Sequence, residues 1–311
     1  MIVVGGGTAG CVVASRLARR TDIDVAVTLV EQGVADGTRQ GRSSLADQTG
    51  RDSRHHAIWA RFASETDAND AQIEYLQGDG LGGSSRINGA IVAAADREAV
   101  AATGLPLETA NADEFGPIDR ALDAASVDGL TVAPVTLARR DSQLVSTAAL
   151  LGIEHVTLRH ATVDAIVIGG GVATGVMTTD GEMIPGDAVV VCAGALQTPL
   201  LLRRSGIETV GRLADHPSFT VELAYADGDA WDTDDLVTGV VGQRDGIEIV
   251  PLNHCGPAAP GRAAFVVGVL DAAIHGTVSE DGGAVVRFDP LSLATQERLA
   301  AAHRLVDELL A

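Results

Sequence analysis

The chain has 311 residues, enough for one large domain or two ordinary ones; hydrophobic residues make up 46% and aromatics only 3%, so its core must be assembled from Val, Leu, Ile and Ala. Its formal net charge is −20, and all 22 basic residues are arginine. A surface this acidic repels nucleic acid and anionic membranes, which excludes both as default partners and leaves solubility as the ordinary reading of the charge.

The 36 glycines against 10 prolines suit many strands and tight turns better than a disordered chain. Three scattered cysteines, Cys11, Cys192 and Cys255, form no CxxC pair and argue against a disulfide framework or a zinc site. No signal peptide precedes the first strand. The longest apolar run, 188–202, is broken by Gly194, Gln197 and Pro199 and is too short to span a bilayer, so a cytoplasmic protein is expected.

In chain order, "MIVV" reads as a buried strand of a parallel sheet. "TAGCVVASRLARR" follows as a helix with Ala9, Val13 and Leu17 at helical spacing, and "DVAVTLVE" is the next strand, completing a βαβ unit. Residues 34–77 read as a long polar loop region, with regular structure only near "IWARFAS". "INGAIVAAADREAVAATG" reads as helical, as do stretches near 112–125 and 140–151. "EHVTLRH", "TVDAIVIGGGVATGVMTTDGEMI" and "GDAVVVCAGA" read as strand, hairpin and strand, with "GGG" at 169–171 as the hairpin turn. "TPLLLRRSGI" reads as a short helix capped by Thr198, with Pro199 at its first position and Gly206 at its end. Short strands between 218 and 290 suggest an antiparallel sheet. The last segment is an amphipathic helix with Leu299, Ala302, Val306 and Leu309 on one stripe.

Two glycine-rich loops carry the chemistry. Gly5, Gly7 and Gly10 match G-x-G-x-x-G between a strand and a helix: Gly5 for the tight turn, Gly7 for approach to a pyrophosphate, Gly10 for helix–strand packing. The helix N-terminus at Thr8 and Ala9 offers N–H groups to the phosphates. Glu31 ends the second strand 21 residues after Gly10, where a carboxylate accepts bonds from a ribose diol and repels a 2′-phosphate. The second loop, "GDGLGGSSRINGA" at 78–90, adds five glycines and two serines. NAD sites need only the first loop. A second set of backbone donors, with Gly82 and Gly83 allowing close approach and Ser84 and Ser85 supplying hydroxyls, points to a longer ligand pinned twice, as FAD is.

On these motifs the sequence resembles the glucose–methanol–choline (GMC) family of FAD-dependent oxidoreductases. The resemblance rests on "IVVGGGTAG", "LVEQG", "LGGSSRINGAI", "VVVCAGALQTPLLLRRSGI" and "LADHP" in order, and covers nearly the whole chain. It implies an α/β fold: a Rossmann-like FAD-binding domain from 1–100 and 151–217, and a second, antiparallel-sheet (α+β) substrate domain from 101–150 and 218–311. It implies non-covalent FAD, since covalent members place a histidine where this chain has Ile87. By the same resemblance Asn88, Gly89, Ala90 and Ile91 line the flavin side, Val163 presents backbone groups to adenine, and Ala193 and Gly194 approach the adenosine and pyrophosphate. "GLGGSSRING" is also similar to members that work beside peptide-derived cofactors such as mycofactocin.

The implied activity is oxidation of a small-molecule alcohol at CH–OH, with electrons passed to an unidentified acceptor. The family's catalytic histidine lies in a C-terminal block that this sequence does not contain, so an impaired enzyme is expected, with no catalytic residue assigned. His55, His56, His216, His254 and His275 read as ordinary surface or core histidines. Asp232, Asp234 and Asp235 read as a solvated turn, and no metal is expected. Cys11 reads as a small core residue, although its place near a helix N-terminus would lower a thiol pKa. The alternative is a non-catalytic or degenerate flavin-binding module completed by another chain. An NAD enzyme is disfavoured by the second loop.

Overall fold

Four short runs rich in β-branched residues, Val156–His160, Val27–Glu31, Ile2–Val4 and Val189–Val191, lie side by side in that order as a parallel sheet. They belong to a computed structural model that describes residues 1–22, 24–33, 55–63, 71–93, 97–151, 156–209, 211–225, 236–255, 259, 261–280 and 284–311. Val3 stands opposite both Leu29 and Val190, so the central strand is covered on both edges. The helix Thr8–Ala18 packs on this sheet, with Val3, Ala14, Val27 and Leu29 forming one core at 2% exposure or less. Each such aliphatic side chain contributes about 1.5–3 kcal/mol when fully buried. Ser15 Oγ and an Arg19 amino group both donate to the Leu150 carbonyl, at 2.7 and 2.9 Å, and tie the helix to the 3₁₀ turn Thr147–Leu150.

The expected hairpin forms as Val163–Gly169 and Val172–Thr178, with a third strand, Met183–Pro185, alongside. Its turn uses Gly170 and Gly171 at φ +60° and +83°, the geometry that favours glycine at both central positions. The antiparallel sheet expected after residue 218 is present. Its order is Ser218–Ala224, Arg262–Val269, Ile247–Leu252, Val240–Arg244 and Thr131–Pro134. The final helix, Leu293–Leu310, starts at Ser292, whose Oγ accepts from Thr295 N at 3.1 Å. Ala302, Leu305 and Val306 are buried against this sheet's core, with Leu299 and Leu309 beside them.

Several sequence expectations are corrected. Within 34–77 the sequence predicts regular structure only near "IWARFAS"; the structure has two strands there, His55–Ala63 and Ala71–Gly78. They join Arg212–Asp215, Ile274–Glu280 and Ala284–Phe288 in a second five-stranded sheet. Among the described residues of the Ala-rich stretch 87–104, the helical part is Arg97–Ala101. Ala90 takes a positive φ of 55°, and Ile91–Val92 pair with Leu137 and Thr136, so strand pairing overrides helix propensity. Within 140–151 the helical part is confined to the 3₁₀ turn Thr147–Leu150: Asp141 and Ser142 turn at φ +50° and +61°, and Gln143–Leu144 pair back on Arg140 and Arg139. Near 112–125 the helical part is a 3₁₀ turn, Ala112–Glu114, followed by Pro117–Asp123. The helix at 198 begins at Gly194 and holds Pro199 as its sixth residue, while Gly206 ends it at φ +74° as expected. Asp232, Asp234 and Asp235 lie outside the described residues. No described helix is long and apolar enough to cross a membrane.

Asp119 clamps the antiparallel half together. It is fully buried and accepts from Gly116 N, Gly239 N and Val240 N at 3.0, 2.9 and 3.3 Å, and from Asn253 Nδ2 at 2.5 Å. Asn253 Oδ1 in turn accepts from Ile118 N and Asp119 N at 2.9 and 3.2 Å. Asp119→Ala would leave several buried donors unpaired. We expect a loss of about 3 kcal/mol of stability, read as a lowered urea midpoint at unchanged slope; a midpoint equal to that of the parent protein would contradict this role.

Candidate functional site: a cleft between two glycine loops

The first strand ends at Val4, and the chain turns at Gly5 (φ +95°) into the helix. Gly5 N donates to Val30 O at 2.8 Å, which pins the loop to the neighbouring strand. A Cβ on Gly5 would sit 2.5 Å from the Cys192 carbonyl oxygen, and one on Gly10 would collide with the Gly5 carbonyl. Both glycines are therefore required by packing. Gly7 is different: a Cβ there meets no atom within 4 Å, because Gly7 borders an open cleft. Thr8 and Ala9, the first residues of the helix, line the same cleft. Their N–H groups have no intrahelical acceptor and carry the positive end of the helix dipole.

The second loop closes over the first. Gly82 (φ +89°) donates its N–H to Gly6 O at 2.7 Å and starts the 3₁₀ turn Gly83–Arg86. Gly83 (φ +50°) lies so near the first loop that a Cβ would stand 2.8 Å from Gly7 Cα. Ser85 points away from the cleft: its Oγ donates to Gly82 O at 2.6 Å and accepts from Thr147 N at 3.0 Å. Arg86 braces the loop by donating to the Asp79 carbonyl.

Glu31 completes the arrangement. Its Oε2 accepts from Gly6 N at 2.6 Å and its Oε1 from Gly33 N at 2.8 Å. It is 9% exposed and lines the cleft. A carboxylate has about four acceptor directions, so this one orients the first loop and retains capacity for ligand hydroxyls.

The cleft has a volume of about 520 Å³, within the usual range for a small-molecule site. It brings together Gly5, Gly7, Thr8, Ala9, Glu31, Gly83, Ser84, Val163, Ala193 and Gly194 of the residues singled out in the sequence. Gly10 and Gly82 lie in the same loops with packing and clasping roles. Asn88, Gly89, Ala90 and Ile91 fall outside it. There Asn88 Oδ1 accepts from Ala90 N at 3.0 Å, and Ile91, 38% exposed, is paired with Leu137.

Sequence reasoning missed a whole wall. Helix Gly194–Arg204 starts in the cleft, with Gly194 at φ +79°, and presents Gln197, Thr198, Leu201 and Arg204 along it. Spacings of three and four place these on one stripe, a signal that was hidden by starting the helix at Pro199. Gln77, Gly78 and Gly80 on the approach to the second loop, and Ala161 and Thr162, were also missed.

No histidine lines the cleft among the described residues. His254 is buried, His216 and His275 are exposed, and His303 stacks on Phe219 with ring centroids 3.9 Å apart. Cys11 is buried, donates its thiol to Gly6 O at 3.0 Å, and is pushed up to about 11 by burial. Desolvation thus outweighs the helix terminus, and Cys11 is a core residue. Among the described residues no three His, Cys, Asp or Glu side chains cluster as metal ligands would.

The family model for FAD dependent oxidoreductases matches residues 1–251. The chain belongs to the FAD-dependent oxidoreductase family. An uncharacterized GMC-type oxidoreductase from the thcA 5′ region of Rhodococcus erythropolis is a homologue, 28% identical over 273 residues that cover 69% of this chain and 54% of that one. The chain therefore spans about half the length of this curated relative. Pyridoxine 4-oxidase from Mesorbium loti superposes with a TM-score of 0.78 at 20% identity, over 99% of this chain and 79% of that one. Formate oxidase superposes at 0.78 and 16% identity, over 99% and 80%. The fold is the FAD-binding Rossmann-type α/β fold of GMC oxidases, with antiparallel sheets beside it. The family's cofactor fits this site: the missing Cβ of Gly7 opens on free space, two helix N-termini meet the cleft, and a carboxylate stands beside them.

The glycines separate folding from binding. Gly7→Ala should stay within about 1 kcal/mol of the parent stability yet weaken FAD binding about tenfold or more, by filling the cradle. Gly10→Ala should lose about 3 kcal/mol or fail to fold. Urea unfolding and flavin-fluorescence titration read the two effects; equal FAD affinity in Gly7→Ala would show that the cradle is not used.

Proposed function

We infer that this chain binds FAD without a covalent link and acts as a GMC-type oxidoreductase on the CH–OH group of a small-molecule alcohol, passing electrons to an acceptor of unidentified chemistry. The observation that carries the reading is the convergence of the two helix N-termini, at Thr8 and Gly194, and of Glu31 on one cleft roofed by the second glycine loop. The helix termini suit a pyrophosphate. Glu31, tied to Gly6 N and Gly33 N, suits the ribose diol and disfavours a 2′-phosphate. Val163, with its neighbours Ala161 and Thr162, is assigned to adenine, and Ala193 and Gly194 to the adenosine and pyrophosphate; all five line the cleft. Gly82 to Ser84 hold the second loop against the first, and Asn88 to Ile91 are assigned to the flavin side.

Bound FAD supplies the two-electron acceptor for a hydride leaving the alcohol carbon. The chain's own residues hold the dinucleotide, orient its diphosphate and exclude a 2′-phosphorylated competitor. We assign residues 1–100 and 151–217 to the cofactor domain, and 101–150 with 218–311 to the substrate domain. The pairing of Thr131–Pro134 with Val240–Arg244 supports that second grouping. Arg212–Asp215 pairs with Ile274–Glu280 across the two. Absence of a histidine from the described cleft lining favours one second reading, a flavin-binding module that is non-catalytic or is completed by another chain.

The purified protein should be yellow or take up FAD stoichiometrically, and a colourless protein that takes up none would overturn both readings. With FAD bound and oxygen excluded, bleaching of the flavin by an alcohol supports the enzyme. A flavin that stays oxidised across a panel of primary and secondary alcohols supports the module.

A further inference from the structure

Arg204 is the one cation among the described residues lining the cleft of a chain whose net charge is −20. It closes the stripe of helix Gly194–Arg204, at the opposite end of that helix from its N-terminus in the cleft. Its guanidinium is held from two sides. Nε donates to Asp164 O at 3.0 Å and lies 3.4 Å from Asp164 Oδ1, and Nη1 donates to Glu280 Oε1 at 3.0 Å. The side chain is 29% exposed, and Nη2 has no hydrogen bond among the described residues.

This is an unusual setting for a phosphate ligand. Two carboxylates already offset its charge, and a diphosphate is already served by the helix N-termini at Thr8 and Gly194. A planar cation fixed in orientation and compensated by acids instead suits the face of a neutral aromatic ring. Val163 and Thr162, from the adjoining strand and its approach, and Leu201, one helical turn before Arg204, line the same end and supply backbone and apolar surface.

We propose that Arg204 is the base-recognising residue of the cleft, meeting the purine of the ligand's ADP portion with its guanidinium, while Asp164 and Glu280 position it. The inference rests on the reading of the cleft as a dinucleotide site, and it adds a purine-selective contact on a residue otherwise explained as a strut between the helix and the strand Ile274–Glu280.

Calorimetric binding of ADP and of inorganic pyrophosphate to the full chain tests it. Arg204→Ala should weaken ADP about tenfold and leave pyrophosphate unchanged, with Arg204→Lys in between. Glu280→Ala, which frees the guanidinium without removing it, should weaken ADP by a smaller factor. Thermal melting of each variant controls for folding. Equal weakening of ADP and pyrophosphate would make Arg204 a phosphate ligand, and a lowered melting temperature with unchanged ADP affinity would make it a strut; either overturns the proposal. Parent protein that binds ADP but not FAD would keep this inference and remove the flavin reading, whereas binding of neither removes both.

Discussion

One backbone hydrogen bond, from Gly82 N to Gly6 O at 2.7 Å, joins two loops that lie far apart in the sequence. Glycine occupies the donor, the acceptor and the residue after each, which lets the two backbones come this close. Gly83 lies where a Cβ would stand 2.8 Å from Gly7 Cα, and Gly82 and Gly83 both take positive φ. Glycine loses more conformational freedom on folding than any other residue, so such a concentration of glycine at one contact is a cost the rest of the fold must offset. The offset comes from the sheet beneath, where Val3, Val27 and Leu29 are buried to 2% exposure or less, and from Ser85 and Thr147, which fasten the second loop from behind.

The clasp gives the cleft its shape. One wall is the helix from Thr8, a second the helix from Gly194, and the roof is the second loop. Both helices point their N-terminal ends at the cavity, so an otherwise strongly acidic protein presents positive potential to an anionic ligand without a lysine anywhere in the chain. Glu31 sits within this field and spends two of its acceptor directions on Gly6 and Gly33. The carboxylate proposed for the ribose is thus also the one that holds the first loop in place.

The first loop was legible in the sequence because each of its glycines answers a local steric demand: Gly5 against Cys192, Gly10 against Gly5, Gly7 against the ligand space. The hairpin at Gly170 and Gly171 was legible for the same reason. What escaped depends on partners distant in the chain. Ile91 and Val92 sit in an alanine-rich stretch with helical propensity, yet pair with Leu137 and Thr136. Residues 55–63 and 71–78 show no clean alternation but complete a sheet with Ala284–Phe288. Pro199 marked a helix start by rule, but the helix begins at Gly194, at the cost of the hydrogen bond that residue 199 would have made to Ala195. That misplacement concealed Gln197, Thr198, Leu201 and Arg204 as a cleft wall.

Amide hydrogen exchange with and without FAD tests most directly whether both loops grip one dinucleotide. Protection should rise together, at the same FAD concentration, in peptides spanning residues 4–11 and 78–86. Protection confined to 4–11, with exchange at 78–86 unchanged at saturating FAD, would contradict the account.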